Sequence, residues 1–497
     1  MFPLATAAGF EARPALRDGA HSISYGELPA LVAAEGGWLV ASGGCRFALL
    51  ADNGCPWVLT DLALANRALL NVPLPGYFTP GQMAHVLNDA GIDAVLTDQA
   101  STLDALGLGF APDGISPQTG LALWRRPVPA GSSPIPAATI KITYTSGSTS
   151  EPKGVCLSAG LIETVARSLA TATAGLHLER HLCLLPLPTL LENVAGVYAA
   201  LLSGATCEIP SLAETGMSYG SLHPGRLTSA IAERRPASLI LVPELLRALV
   251  NATVMGWIPP ASLRFIAVGG ALVSPELLAQ AARLGLPVFE GYGLSECGSV
   301  VCLNTPGDNR PGTVGRPLPH LQVRIDDHGQ IIVRHAAMLG YLGEPDSACG
   351  NEIATGDLGS IDADGFVHVQ GRLKNLLITS LGRNIAPEWV ERELQQEPEI
   401  ASAIVVGEAR PYLAAIISPT AAGSTPARID AAVARANRRL PDYAQVRSWA
   451  FPTEAFTFAN GSLTANGRLR RARILETQEP LIRELYEDTT TRRENCA

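Results

Sequence analysis

Residues 145–154 read TSGSTSEPKG, with five hydroxyl side chains, two glycines, a proline and one lysine within ten positions. Hydroxyls, exposed backbone N–H groups and an ammonium are the donors that hold phosphate oxygens. The glycines let backbone donors approach closely and let the loop move. This is not a Walker A loop, because Lys153 is followed by Gly154 instead of Ser or Thr. By composition alone the stretch also fits a solvated polar turn; its order reads as a grip for a polyphosphate. Rival chemistries leave weaker traces. No G-x-S-x-G elbow occurs, since SGSTS and GLSEC both miss it. No H-E-x-x-H pair offers a metal site, and the nine histidines are dispersed, as surface or satisfied core residues are.

The elements that must position this loop read as α/β nearly throughout. IKITYT (140–145) alternates and ends in the glycine-rich turn. CLLPLP (183–188) reads as a strand and ENVAGVYAALLSG as a helix stopped by Gly204. SLILVP (238–243) leads into the helical ELLRALV. LRFIAV (263–268) runs into Gly269-Gly270, then a helix with Ser274 as N-cap, Pro275 at its first position and Gly285 past its end. LPVF (286–289) runs into EGYGLSE. Strands that alternate with helices and end in glycine-rich loops imply parallel sheets with ligands at their carboxyl ends. After about residue 310 the texture changes. VRIDDHGQIIVR (323–334) and GSIDADGFVHVQGR (359–372) read as hairpins around Asp/Gly turns. A shorter module follows, with helix PEWVERELQQ (387–396) and strands SAIVVG and YLAAIIS.

At 497 residues the chain exceeds what one core usually supports, roughly 250–300 residues. Hydrophobic residues are 47% and charged ones 17%, which gives ample material for large cores. The net charge of −9 favours neither nucleic acid nor an anionic membrane as a partner. No secretory signal is read at the start, and no apolar run is long enough to span a bilayer. The nine cysteines are scattered with no C-x-x-C pair, as free thiols in a reducing cytosol are. A cytoplasmic protein is expected.

Four motifs carry a family resemblance. TSGSTSEPKG closely resembles the phosphate-binding signature of the adenylate-forming superfamily, which includes acyl-CoA synthetases, firefly luciferase and nonribosomal adenylation domains. GYGLSE (291–296), TGDLG (355–359) and GRLKNLLI (371–378) resemble three further motifs of that family in the right order. SLGRNIAPEWVE (380–391) and LPLPTLLE (185–192) look most like long-chain acyl-CoA synthetases. The resemblance implies a large N-terminal domain, 1–372, of parallel α/β subdomains plus a small β-barrel-like subdomain. A small, mobile α+β C-terminal domain, 373–497, completes the implied fold.

The implied reaction has two steps. A carboxylate attacks the α-phosphate of Mg·ATP and displaces pyrophosphate; a thiol, usually that of coenzyme A, then takes the acyl group from the adenylate. By position, Thr145, Ser146, Gly147, Ser148, Thr149 and Lys153 would form a mobile loop over the β- and γ-phosphates. Tyr292, between Gly291 and Gly293, would stack on adenine, with Gly269, Gly270 and Ala271 on the other face; taken alone, such a tyrosine is more often a packing residue. Ser295 would touch the α-phosphate and Glu296 would hold Mg²⁺. Asp357 would accept both ribose hydroxyls, and Arg372 would reach ribose or phosphate. Lys374 lies at the family's hinge, and Gly382 where the thiol arm passes.

Three departures stand out. Ser150 replaces a common glycine in the phosphate loop. Thr189 stands where many relatives have a histidine or aromatic gate to the acyl pocket. GSLTANGRLRR (461–471) matches the segment that carries the adenylation lysine, but the matching residue is Arg468. Arginine keeps the charge with a different reach and geometry. The expectation is an ATP-dependent acid–thiol ligase for a fatty or related acid. Other outcomes of the same reading are loading of a carrier protein's phosphopantetheine arm and closure of a β-hydroxy acid to a β-lactone. A different class, a nucleotide- or adenylate-binding protein without turnover, is raised by Arg468 and opposed by Lys153, Glu296 and Asp357. The resemblance also allows a homodimer.

Overall fold

The computed structural model describes residues 10–129, 131–145, 152–218, 221–271, 273–335, 337–344, 347, 350–380, 383–420, 425–464 and 468–494. Two large sheets dominate the N-terminal part. In the first, strands Val288–Leu294, Phe265–Val268, Ser238–Leu241, Arg180–Leu182, Thr206–Glu208 and Pro14–Arg17 lie side by side and parallel. Antiparallel strands close both of its edges. The second has a parallel centre of Thr139–Thr145, Leu70–Pro73, Arg46–Leu50 and Ala94–Thr97. Lys153–Ser158 pairs antiparallel to its first strand, placing Thr145 opposite Lys153.

One apolar core runs through both sheets and the helices on them, from Leu16 and Phe47 through Trp57 and Ile162 to Phe289 and Val301. Helix Cys55–Asn66 is buried nearly all round, with Trp57 fully enclosed. Burial of each such large side chain contributes about 1.5–3 kcal/mol. The two hairpins read from the Asp/Gly turns form one four-stranded antiparallel half-barrel, Gln322–Ile325, Gln330–Arg334, Glu352–Ile361 and Val367–Arg372. The small C-terminal part has its own three-stranded sheet and core, built on Val390, Leu394, Ile404 and Ile416.

Two local readings need correction. CLLPLP is not a strand: the strand is Arg180–Leu182, and it ends before Pro186 and Pro188, which have no N–H to donate. The N–H of Leu185 goes instead to Glu192 Oε2 at 2.9 Å. GYGLSE does not follow its strand as a loop; Val288–Leu294 carries Gly291 to Leu294 within the strand. The helix after residue 190 is present, but its first part, Leu191–Tyr198, is a π-helix, continued by Ala199–Leu202. Such wide turns are rare and cluster at functional sites.

Candidate active site

The parallel strands Ser238–Leu241, Phe265–Val268 and Val288–Leu294 all end at one cavity of about 780 Å³. Thr145, Lys153, Gly269, Gly270, Tyr292, Gly293, Ser295, Glu296, Arg372, Lys374 and Arg468 line it. Residues more than three hundred positions apart thus share one space. Ala271 does not line it, and Asp357 sits just behind the lining. Residues 146–151 and Gly382 lie outside the described residues, so Ser146, Gly147, Ser148, Thr149, Ser150 and Gly382 have no structural account.

Asp357 and Arg372 are cross-strand partners in the half-barrel. That register brings two motifs fifteen positions apart to one point. Arg372 Nε lies 2.7 Å from Asp357 Oδ1. The Tyr292 hydroxyl donates to Asp357 Oδ2 at 2.6 Å. Burial raises the Asp357 carboxyl, and Arg372 and the Tyr292 bond oppose the rise. Burial and then Asp357 push the Tyr292 phenol far up, so it stays a donor. Glycine is required at 293: a Cβ there would stand 1.8 Å from the Ser299 carbonyl oxygen.

Across the cavity, Lys153 pairs with Glu344 at 2.7 Å, with both side chains about half exposed. Such a pair is weak, on the order of 0–1 kcal/mol, and Lys153 can exchange it for a phosphate. Glu296 accepts from the Tyr341 hydroxyl at 2.8 Å through Oε1.

Arg468 lines the cavity next to Leu469, which bridges to Leu463. Its backbone N–H donates to Thr464 Oγ1 at 3.0 Å, and its carbonyl accepts from the Thr464 N–H at 2.7 Å. Its guanidinium lies over Gly270, which has φ +85°; a Cβ there would be 2.8 Å from Arg468 Nη2. Arg468 is exposed within the cavity, and desolvation there lowers its pKa. Glu244 and Tyr77 work against the shift, and the group stays charged. Burial also lowers Lys374, with Arg372 adding to the shift.

Family comparison settles the class. Residues 4–342 match the family model described as AMP-binding enzyme, and 374–490 match the AMP-binding enzyme C-terminal domain. The chain belongs to the AMP-binding enzymes. It is a member of the adenylate-forming superfamily, and an enzyme of the AMP-forming ligase class. A long-chain-fatty-acid–CoA ligase of Mycobacterium bovis, FadD15, is 26% identical over 89% of this chain and 88% of its own. A feruloyl-CoA synthase of an Amycolatopsis species is 28% identical over 92% and 95%. The fold matches that of the anthranilate CoA ligase AuaEII in complex with anthranoyl-AMP, at TM-score 0.79 and 20% identity over 95% of both chains.

Several neighbours of this AMP-binding enzyme's site escaped sequence reasoning. Glu244, in the first turn of helix Pro243–Val254, lies close enough to Arg468 for their charges to interact. Its place right after the SLILVP strand was the available signal. Two buried networks hold the π-helix. His181 lies between Glu192 (2.8 Å) and Ser238 (3.0 Å). Lys141 bonds Asp61 at 2.8 Å and Asn193 at 2.5 Å, with Tyr198 bonded to Asp61 as well. His181, Cys183 and Glu192 come close enough to ligate a metal, but the hydrogen bonds already engage both His181 nitrogens and both Glu192 oxygens.

Proposed function

We propose that this enzyme activates a carboxylic acid with ATP to an acyl adenylate and passes the acyl group to the thiol of coenzyme A, releasing AMP and pyrophosphate. The observation that carries the reading is Arg468 over Gly270, in the same cavity as Lys153 and Glu296 and facing the Tyr292–Asp357–Arg372 group. The relatives are named as CoA ligases for fatty and aromatic acids, which supports coenzyme A as acceptor.

Each residue has a task in the first step. Asp357, anchored by its bond from Tyr292, takes the ribose hydroxyls as a vicinal-diol acceptor, while the Tyr292 ring stacks on adenine. Lys153 leaves Glu344 for the β- and γ-phosphates. Arg468 places positive charge where negative charge gathers on the α-phosphate, in a site partly shielded from water. Glu296, fixed by Tyr341 through one oxygen, fits Mg²⁺, a hard ion that takes one or two carboxylates plus substrate phosphates. Bound there, Mg²⁺ would neutralise phosphate charge.

The small domain is proposed to begin after Arg372, where Leu373–Asn375 forms a short 3₁₀ turn. Lys374 is proposed as the hinge at which that domain swings for thiol transfer. No helix among the described residues is long and apolar enough to cross a membrane. A cytoplasmic location remains part of the proposal.

The test is product analysis. Purified enzyme given ATP, Mg²⁺, coenzyme A and a panel of acids is expected to yield AMP, pyrophosphate and one class of acyl-CoA by mass spectrometry. Adenylate formation with transfer only to a holo-carrier protein would replace coenzyme A as acceptor. No adenylate with any acid would overturn the reading.

A further inference from the structure

The cavity that holds the site continues well beyond it. Its lining follows strand Ser238–Leu241 from Val242, just past its carboxyl end, back to Ser238 at its other end and to His181 level with it on the next strand. Along its helical wall Leu191, Ala195, Ala199 and Ser203 follow one another at intervals of four, so the cavity runs along one face of the π-helix and its continuation. At the far end Thr173, Leu178 and Ser203 also line a second cavity of about 610 Å³, which reaches Arg13 and Arg167 near the surface.

Two of the three shared residues, Thr173 and Ser203, are small, beside Leu178. Thr173 Oγ1 donates to the Leu169 carbonyl at 2.9 Å and Ser203 Oγ to the Ala199 carbonyl at 2.8 Å. Both hydroxyls are thereby turned back onto their own helices.

We propose that the two cavities form one passage, and that the acid this enzyme activates is a long straight-chain one whose far end emerges into the second cavity. This rests on the activity proposed above and names its substrate class. The eight residues of the π-helix and the four that continue it rise about 15–18 Å. An extended chain advances about 1.2 Å per bond, so a chain of roughly 12–15 carbons spans the wall from Leu191 to Ser203. Longer chains meet water instead of a closed end, and a terminal hydroxyl stays hydrated, whereas a sealed apolar pocket would strip it.

The experiment is ATP–pyrophosphate exchange by the full chain with octanoate, hexadecanoate and ω-hydroxyhexadecanoate, for wild type, Ser203→Phe and Thr173→Leu. Wild type is expected to use hexadecanoate and its ω-hydroxy form within about threefold of each other. Each variant is expected to keep octanoate, which reports folding, and to lose about tenfold or more on the long acids, as a pocket narrowed by added carbons does. Rejection of the ω-hydroxy acid by wild type would overturn the passage. So would an unchanged ratio of long to short acid in whichever variant retains octanoate activity. Exchange with none of the acids would instead overturn the activity itself, and the substrate class with it.

Discussion

The Tyr292 hydroxyl donates to Asp357 at 2.6 Å while Arg372 holds the other carboxylate oxygen at 2.7 Å. The residue read as an adenine platform is thus also the anchor of the carboxylate read as the ribose acceptor. Tyr292→Phe keeps the ring and removes that anchor. A hydrogen bond to a charged group contributes about 1.5–3 kcal/mol. The KM for ATP should rise roughly tenfold or more with kcat little changed, as loss of binding common to ground and transition states requires. Steady-state kinetics in ATP checks this, and an unchanged KM would sever the link between the two residues.

Arg468 is expected to work as a substitute for lysine. Its charge sits over Gly270 with Glu244 nearby. Arg468→Met should reduce pyrophosphate exchange about a hundredfold or more, the loss typical of one electrostatic donor at a developing charge. Arg468→Lys keeps the charge and should stay within about tenfold of wild type. Equal activity of Arg468→Met and wild type would remove Arg468 from the chemistry.

The reach of the sequence is uneven. That Thr145, Lys153, Tyr292, Glu296 and Asp357 come together was legible because short motifs fix both residue type and spacing. Arg468 was legible only as a departure from such a motif. The register that sets Asp357 against Arg372 was half visible, as two hairpin patterns. The π-helix was not visible. Its apolar spacing reads as an ordinary helix, and the long-range partners that hold it, Lys141 with Asp61 and His181 with Glu192, leave no local pattern. Glu244 was hidden for a similar reason, since an acidic residue in a first helical turn is what helix ends favour anyway.

Lys374 offers a way to separate the two half-reactions. It lies in the 3₁₀ turn Leu373–Asn375, and Asn375 is tied by a hydrogen bond to Glu388 of the small domain. Lys374→Pro should stiffen the turn by fixing φ. Exchange should persist while acyl-CoA formation falls at least about tenfold. Equal loss of both would place Lys374 in the chemistry of the first step instead.

Glu290 gives a stability prediction with a sign. Burial pushes its carboxyl up from 4.5 to about 8, with Arg392 opposing. The folded state therefore holds this proton more tightly than the unfolded chain does. Its contribution is fully present below about pH 4.5 and is lost as pH rises toward about 8, by at most about 1.4 kcal/mol per pH unit. Glu290→Gln removes that dependence. Thermal unfolding from pH 5 to 8 should show the variant gaining on wild type as pH rises. A constant difference would refute the buried protonated carboxyl.

The Lys141–Asp61 pair lies beneath the π-helix, almost wholly buried. Lys141→Met leaves Asp61 as an uncompensated buried charge and should cost about 3–5 kcal/mol. Adding Asp61→Asn should restore most of that loss. Denaturant unfolding of the two variants checks this, and additive losses would show that the residues do not act as a pair.

The central claim is that this chain makes an acyl adenylate with arginine at position 468. The most direct measurement is ATP–pyrophosphate exchange by the wild-type enzyme across short, long and aromatic acids, each with an acid-free control. Exchange that depends strictly on the acid and is strongest for one class is the expected result. Exchange absent with every acid, in folded protein that still binds ATP, would contradict it.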